Sequence, residues 1–450
     1  MSQNIKLKKG FDINLVGKAE KKIGELPMAE TFALKPADFV GMARPKLLIK
    51  EGDTVKAGTP VMIDKTVENV MYCAPVSGEI AEIVRGAKRK ILEVRILADK
   101  EVAFESFTAH SDLSKVSKED ILSQMTQSGV WPQVIQRPFG VVADPSDTPK
   151  NIFISVFDTH PMAADMVFVL GGEAKYFEAG VEILAKLTDG KVHVNHNETS
   201  AQTFKSSEAQ HNTFSGPHPA GNVGVQIHHL APIHKGEVSW TVHPLGVVQI
   251  GKLFLEGKYD TSRVIALTGS EVKAPQYYKA YSGTCIDKLL DNTINDGFVR
   301  YVSGNVLTGN QVNSTGYLGF YHNQISVIPE GDYYEVFGWI TPTTKKLSFH
   351  KAFGLLSFLG GKDKEYVIDT NIKGGHRTFV QTGEFEKVIP MDILPTYLLK
   401  AILAEDFDDM EGLGIYEVIE EDLALCEFID VSKNEIQDIL REGLDLVKNS

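Results

Sequence analysis

Histidine is the residue type best able to do chemistry in this chain, and it is unevenly spread. Eight of the thirteen histidines fall between His193 and His243: His193, His196, His211, His218, His228, His229, His234 and His243. Such a density would suit a zinc site or a general base near neutral pH. The spacing argues otherwise. In HVNH, two histidines three positions apart on a strand point to opposite faces, and no HExxH or HxH-with-Asp pattern occurs. The reading is therefore hydrogen-bonding histidines and no metal. SGPHPAG, 215–221, reads as a loop fixed by its prolines.

A second candidate is Lys65 in PVMIDK, between an EGD turn and an APVSG turn. Domains that swing a lipoyl or biotinyl arm place the modified lysine at the exposed tip of a hairpin with this rhythm. Lipoyl hairpins set Lys beside Asp, as here, but with a longer run from the GD turn than the thirteen positions between Gly52 and Lys65. Biotin hairpins flank the lysine with methionines, whereas here Asp64 and Thr66 are the neighbours. The run TVENVMYCAP after Lys65 is also longer than a symmetric hairpin needs. An unmodified scaffold lysine is the favoured reading over a carrier.

Phosphate and nucleophile signals are weak. Gly171-Gly172-Glu173, Gly360-Gly361 and Gly374-Gly375 lack the GxGxxG spacing of a dinucleotide loop, and no P-loop is present; they read as turns. Cys73, Cys285 and Cys426 lie far apart without a CxxC pair, which argues against zinc, clusters and a disulfide framework. No GxSxG elbow or close carboxylate pair stands out. On spacing alone the chain is a multidomain scaffold without a catalytic centre.

The elements that would position these groups fall into four blocks. Residues 1–100 carry short β-rich runs (LLI, TPVMI, GEIAEIV, KILEVRIL) broken by Gly/Pro turns, which suggests a compact sandwich or barrel. In 101–254, Ser117 with Asp120 three positions on starts a helix. NIFISVF, the helical YFEAGVEILAKL and the strand KVHVNH then alternate as in a doubly wound α/β sheet. Pro161 is expected at a first helical position, and GVQIHHL as a short β-like run. VVQIGKLFLEG and SRVIALTG lead into a second β-rich region, 255–330. From 331 to 450, MDILPTYLLKAI and EEDLALCEFI show helical periodicity.

With 450 residues, 43% hydrophobic and 23% charged, the chain is ordinary globular protein of about three domains. A net charge of -13 argues against nucleic acid as a partner. The charge is uneven: Ala404–Asp430 holds eleven acidic residues and no Lys or Arg, while lysines crowd the N-terminus. No apolar run reaches membrane-spanning length and the N-terminus is not a signal peptide, so a soluble cytoplasmic chain is expected, able to meet a membrane through a partner.

Several phrases, in order over nearly the whole length, carry a resemblance: VGMARPKLLIKEGDTVKAGTPV, SGPHPAGNVGVQIHHL, GKLFLEGKYD, GNVLTG with GYLGFYHNQIS, and MDILPTYLLKAI with EEDLALCEFI. Together they resemble the NqrA subunit of the Na⁺-translocating NADH:quinone reductase, a family related to RnfC of the Rnf complex and to the NADH-binding subunit of respiratory complex I. The resemblance implies a multidomain α/β and α+β fold. Its parts would be a biotinyl-lipoyl-like barrel-sandwich hybrid (1–100) without an arm, a Rossmann-like α/β domain (101–254), an SLBB-like β-grasp domain (255–330) opening at 267–290, and a C-terminal helical domain (331–450).

It also implies a role. This chain would bind no covalent cofactor and lack NADH oxidation, with flavins, iron–sulfur and the NADH site on other members of the six-subunit complex (NqrA to NqrF). The helical end keeps only Cys426, with Asp430 where a second cysteine would be sought. Ser282-Gly283-Thr284 resembles the flavin-attachment sequence of NqrB and NqrC only superficially and reads as a turn. The chain would sit peripherally on the cytoplasmic face against the membrane subunit NqrB, with quinone as substrate. Two family segments associated with quinone correspond to KPADFVGM (35–42) and WPQVIQRPFG (131–140). They supply the candidates Phe39, Gly41, Met42, Trp131, Arg137, Pro138 and Phe139, with aromatic surface for the ring or tail and Arg137 as donor to a carbonyl. Core or subunit-contact residues is the competing reading. GMARPK carries one residue more than the family's GMRP phrase.

Overall fold

The structure, a computed structural model, describes residues 2–338, 340–354, 356, 359, 364–379 and 381–450. Gly360-Gly361 lies outside the described residues.

The first two strands, β1 (Asn4–Lys6) and β2 (Glu20–Gly24), join sheets built much later in the chain. The seven that follow make a sandwich: β3 (Thr31–Leu34), β4 (Pro45–Leu47), β5 (Thr54–Val55), β6 (Pro60–Asp64), β7 (Val67–Cys73), β8 (Gly78–Arg85) and β9 (Ile91–Ala98). A four-stranded sheet, β3-β9-β8-β5, faces a three-stranded one, β4-β6-β7. Alternate residues of these strands, among them Val61, Val70, Ile80 and Val94, are fully buried between them. Here one expectation is corrected. Lys65 does stand at the tip of a two-residue turn, because Asp64 pairs with Val67. The long downstream run is absorbed by a register shift in β7, between the pairs Ile63–Met71 and Asp64–Val67. Buried Asp64 fixes that corner, accepting from the backbone N–H of Ala43, Arg44 and Thr66 at 2.8, 3.3 and 2.9 Å. The two residues after Met42 are thus anchored on it.

Ser117 caps α1 (Lys118–Ser128), its hydroxyl accepting from Asp120 N at 3.1 Å. The α/β unit then adds β10 (Val134–Arg137), β11 (Val141–Val142), β12 (Ile152–Ser155), α2 (Met166–Val169), α3 (Ala174–Ala185), β13 (Val192–His196), β14 (Ala209–Ser215), α4 (Val223–Leu230), β15 (Ser239–Val242) and α5 (Pro244–Glu256). The seven-stranded sheet has the order β1-β14-β13-β12-β15-β10-β11. From β1 to β15 the pairing is parallel; β10 runs antiparallel to β15 and β11. The chain steps outward from β12 through β13 to β14, then returns to lay β15 on the other side of β12. Strand order therefore reverses between β12 and β15, the place where such sheets bind ligands at their carboxyl ends.

Three local expectations fail here for physical reasons. GVQIHHL is helix α4, not a strand; eight residues are too few to separate the two periods. VVQIGKLFLEG belongs to α5, buried on every side from Pro244 to Phe254, so no polar face marks the helical period. That burial depends on glycine: a Cβ on Gly180 would lie 2.1 Å from Val247 O, and one on Gly251 1.9 Å from Tyr176 O, so the two helix backbones touch. Pro161 starts no helix. Met162 takes a positive φ of 57°, and Asp165 caps the short α2 instead, accepting from Phe168 N at 3.0 Å.

A six-stranded mixed sheet follows, from β16 (Ser262–Thr268), β17 (Gln276–Tyr281), β18 (Val299–Ser303), β19 (Asn310–Val312) and β20 (Gln324–Pro329), with the one-turn α6 (Asp287–Leu290). Its order is β19-β18-β20-β16-β17-β2, so the N-terminal strand closes one edge. Four helices end the chain: α7 (Pro395–Leu403), α8 (Phe407–Gly412), α9 (Glu420–Ile429) and α10 (Ile436–Asn449). Leu398, Leu399, Leu423, Leu440 and Leu444 make their common core. Among the described residues between 331 and 394, turns and the 3-10 helix Phe385–Lys387 replace α-helices. Among the described residues no helix is long and apolar enough to cross a membrane.

Candidate functional site

At the reversal between β12 and β15 lies a cavity of about 360 Å³, within the size range of small-molecule pockets. Every unit of the fold contributes to its wall. Ser155 and Thr241 come from the ends of β12 and β15, His160 and His218 from the loops that follow β12 and β14, and His243 from the start of α5. The β-grasp sheet adds Tyr321, His322 and Asn323 ahead of β20, and α9 adds Glu421. Val40 and Gly140 close it, so the segments 35–42 and 131–140 meet on one wall. The first segment also packs on the residue that follows the second: a Cβ on Gly41, at φ +85°, would lie 2.7 Å from Val141 Cγ1.

Of the seven quinone candidates read from the sequence, only Arg137 lines the cavity itself. Phe39 is 2% exposed and packs on Tyr72, Phe320 and Tyr321, with ring centroids at 4.6, 4.8 and 6.0 Å. Trp131 is fully buried, edge-on to Trp240 at 5.4 Å, and its indole N–H donates to Ala143 O at 2.7 Å. Both therefore sit in the core and offer no free surface to a ring. Phe39 acts one step away, by backing Tyr321. Gly41 is exposed, Met42 half-buried and Pro138 buried after a cis peptide bond. Phe139 is half-buried against Tyr416, and its carbonyl accepts from Arg441 Nη1 at 2.9 Å.

Arg137 is not a free donor. Its Nη1 donates to Asp422 Oδ2 at 2.9 Å and its Nη2 to Glu421 Oε1 at 2.6 Å, from a side chain 3% exposed. Burial works against the guanidinium charge, but these carboxylates more than offset it and raise its pKa. On Glu421, burial outweighs the pull of Arg137 and pushes the carboxyl up to about 7; with 38% of the side chain exposed, solvent screens part of this. Asp422 presses on the first turn of α4, where a Cβ on Gly224 would lie 2.4 Å from Asp422 Oδ2. Asn222, the residue ahead of α4, leaves that helix uncapped by its side chain and donates to Glu421 O at 2.9 Å. A helix start at a sheet's switch point is a natural seat for a phosphate. Here the Asp422 carboxylate lies against Gly224 in that first turn, accepting from Arg137 and from Ile419 N.

The other chemistry-bearing groups have structural uses. His193 stacks on Phe153 at 4.7 Å and His196 on His211 at 5.0 Å, on opposite faces of β13. Burial pushes both imidazoles down to about 4. Among the described residues no group of three His, Cys, Asp or Glu is arranged to hold a metal ion. Thr284 is 2% exposed in a turn whose Gly283 has φ +72°, so its hydroxyl faces protein. Cys426 is buried, and Asp430 accepts from the N–H of Ser432 and Asn434 at 3.0 and 2.9 Å, a loop anchor. Of the cavity histidines, His218 and His243 belong to the cluster seen in the sequence, without a site being read from it, whereas His160 and His322 lie outside it and carry no spacing signal. For His218 and His243 the signal available was the excess of histidine in 193–243 together with the proline-fixed SGPHPAG loop.

Comparison with known proteins agrees with this architecture. Residues 5–99 match the NqrA N-terminal barrel-sandwich hybrid domain, 116–259 the NqrA second alpha/beta domain, and 264–314 the NQRA C-terminal domain, of SLBB type. The chain is 39% identical over 448 residues to the NqrA subunit of the Na(+)-translocating NADH-quinone reductase of Yersinia pestis bv. Antiqua (strain Angola), covering 99% of each chain. It is 39% identical to that of Serratia proteamaculans (strain 568) and 37% to that of Vibrio alginolyticus, each over 451 residues and 99% of both chains. A solved NAD+-reducing [NiFe]-hydrogenase aligns with 51% of this chain and 52% of its own at 11% identity and a TM-score of 0.35, too distant to inform the fold. On full-length similarity and three consecutive domains, this chain belongs to the NqrA family of the Na⁺-translocating NADH:quinone reductase.

Proposed function

We propose that this chain is the peripheral, cytoplasmic-side subunit of the sodium-pumping complex and helps to form its quinone-reduction site where it meets the membrane subunit NqrB. NADH oxidation, flavins and iron–sulfur centres belong to other subunits, and the isolated chain is not catalytic. One observation carries the quinone reading: the segments 35–42 and 131–140, far apart in sequence, share one cavity wall through Val40, Arg137 and Gly140. The Asp422 carboxylate set against the start of α4 would repel a phosphate there, which supports the absence of nucleotide chemistry. The α/β unit, with strand order reversing at β12, supports the Rossmann-like reading, and α7–α10 support a helical C-terminal domain.

The test is made in the assembled complex. Val40 is 39% exposed at the cavity mouth, so Val40→Trp should obstruct it without disturbing a core. The expected result is a quinone KM raised about tenfold or more, with NADH oxidation by ferricyanide unchanged. A complex that assembles normally and keeps its quinone KM would leave only a docking role. A docking role has one observation in its favour: Phe39, Trp131 and Arg137 are all committed to internal partners.

A further inference from the structure

The hydrogen bonds made by the cavity histidines fix which nitrogen of each ring carries the proton. His218 Nδ1 lies 3.1 Å from Thr159 Oγ1, and that hydroxyl already accepts from Gly221 N at 2.9 Å. Among the described residues that hydroxyl has no other acceptor for its own proton, which therefore goes to Nδ1, and the ring proton to Nε2. The same holds for His322: its Nδ1 lies 2.9 Å from Ser303 Oγ, which accepts from Gly319 N at 2.9 Å. His243 Nδ1 accepts from Leu245 N at 3.3 Å at the start of α5, again leaving the proton on Nε2. Burial lowers all three imidazoles, His218 to about 3 and His322 to about 4, so each ring is neutral.

Each of these Nε2–H groups lacks a protein acceptor among the described residues, and His218 Nε2 is fully buried without one. The His218 donor, sealed from solvent, is an unmet requirement, because a buried donor without a partner costs free energy; those of His243 and His322 are not sealed and line the same cavity without a protein acceptor. His160 is different. Its Nδ1–H donates to Pro161 O at 3.2 Å, and its Nε2 lies 3.8 Å from Asp158 Oδ2. Charge narrows the ligand further. Among the described residues Arg137 is the one Arg or Lys lining the cavity, already paired with Glu421 and Asp422, while Asp158 faces the same space. An anion would meet repulsion there with no free cation to offset it.

We infer that the cavity receives an uncharged ring bearing carbonyl oxygens, held by the Nε2–H groups of His218, His243 and His322. This rests on the quinone reading above and says where in the chain the head group sits: at the switch point, behind the mouth at Val40. His243 also caps α5, so His218 and His322 are the residues to alter.

The test uses the full chain and calorimetric titration with a short-chain, water-soluble benzoquinone, alongside inorganic phosphate and adenosine monophosphate. Asparagine keeps an acceptor near the Nδ1 position and removes the Nε2–H; glutamine keeps a donor near Nε2. Saturable benzoquinone binding is expected, weakened about tenfold by His218→Asn and by His322→Asn and largely retained by His322→Gln. Phosphate and the nucleotide should not bind. Should His218→Asn melt early, the His322 pair carries the comparison. Absence of saturable benzoquinone binding, or binding unchanged by variants that melt normally, overturns the inference. So does equal binding of phosphate. If Val40→Trp still raises the quinone KM of the complex in that event, the quinone reading survives and only the seat is wrong.

Discussion

Arg137 and Asp422, 285 positions apart, meet at 2.9 Å with both side chains out of solvent, and this pair ties strand β10 to the C-terminal helix α9. The bond joins the segment that walls the cavity to the acidic end of the chain. Much of the eleven-residue excess of acid in 404–430 is solvated surface, but Glu421 and Asp422 are internal ligands.

Breaking one side of that pair should be costly. Asp422→Asn leaves the guanidinium with one partly exposed carboxylate, and a loss of about 3–5 kcal/mol is expected. The double variant Arg137→Met/Asp422→Leu should lose clearly less than the two single changes summed, measured by urea unfolding. Additive losses would mean the pair is not coupled.

Stability should fall with acid in a defined window. Burial holds His193, His196, His218 and His322 at about 4, 4, 3 and 4, whereas the unfolded chain protonates them near 6.5. Below about 6.5 the unfolded state binds more protons, so stability present above that pH is lost as pH falls toward 4, by several kcal/mol in all. Unfolding midpoints at pH 7.5 and 5 should differ accordingly, and His218→Asn should flatten the slope. A pH-independent midpoint would contradict this.

Phe39→Ala and Trp131→Ala should act through folding. Each empties a fully packed core position, at about 3–5 kcal/mol. Any loss of quinone reduction should then track the melting temperature, unlike Val40→Trp. A normal melting temperature with lost activity would reverse that assignment.

The carrier-like hairpin should be a scaffold. Asp64→Ala strips the acceptor of three backbone N–H groups and should cost about 2 kcal/mol, while exposed Lys65→Ala should be neutral within ~0.5 kcal/mol. Intact-mass measurement should show Lys65 unmodified. A lipoyl- or biotinyl-sized adduct would refute this.

Gly251→Ala should destabilise by more than about 1–3 kcal/mol, because the new methyl meets the Tyr176 carbonyl of α3 rather than a side chain that can move. A neutral result would show that the two helices can part.

What the sequence by itself determined was local and ordered. The turn-broken runs before residue 100, the cap at Ser117, the strand HVNH and the helices of the C-terminal end follow from period and punctuation. The phrases spread along the chain identified the family, because many short matches in fixed order are far more specific than any one. Tertiary structure decided the rest. It alone made α5 a helix, since all-round burial erases the polar face that would mark its period. It alone placed Lys65 at a hairpin tip, through a bulge no spacing rule reveals. It put Phe39 and Trp131 into the core and gave Arg137 two carboxylates from the far end of the chain. It also gathered His218, His243 and His322, from three separate elements, around one cavity. Proximity between distant residues is set by how layers pack, and no window of sequence contains it.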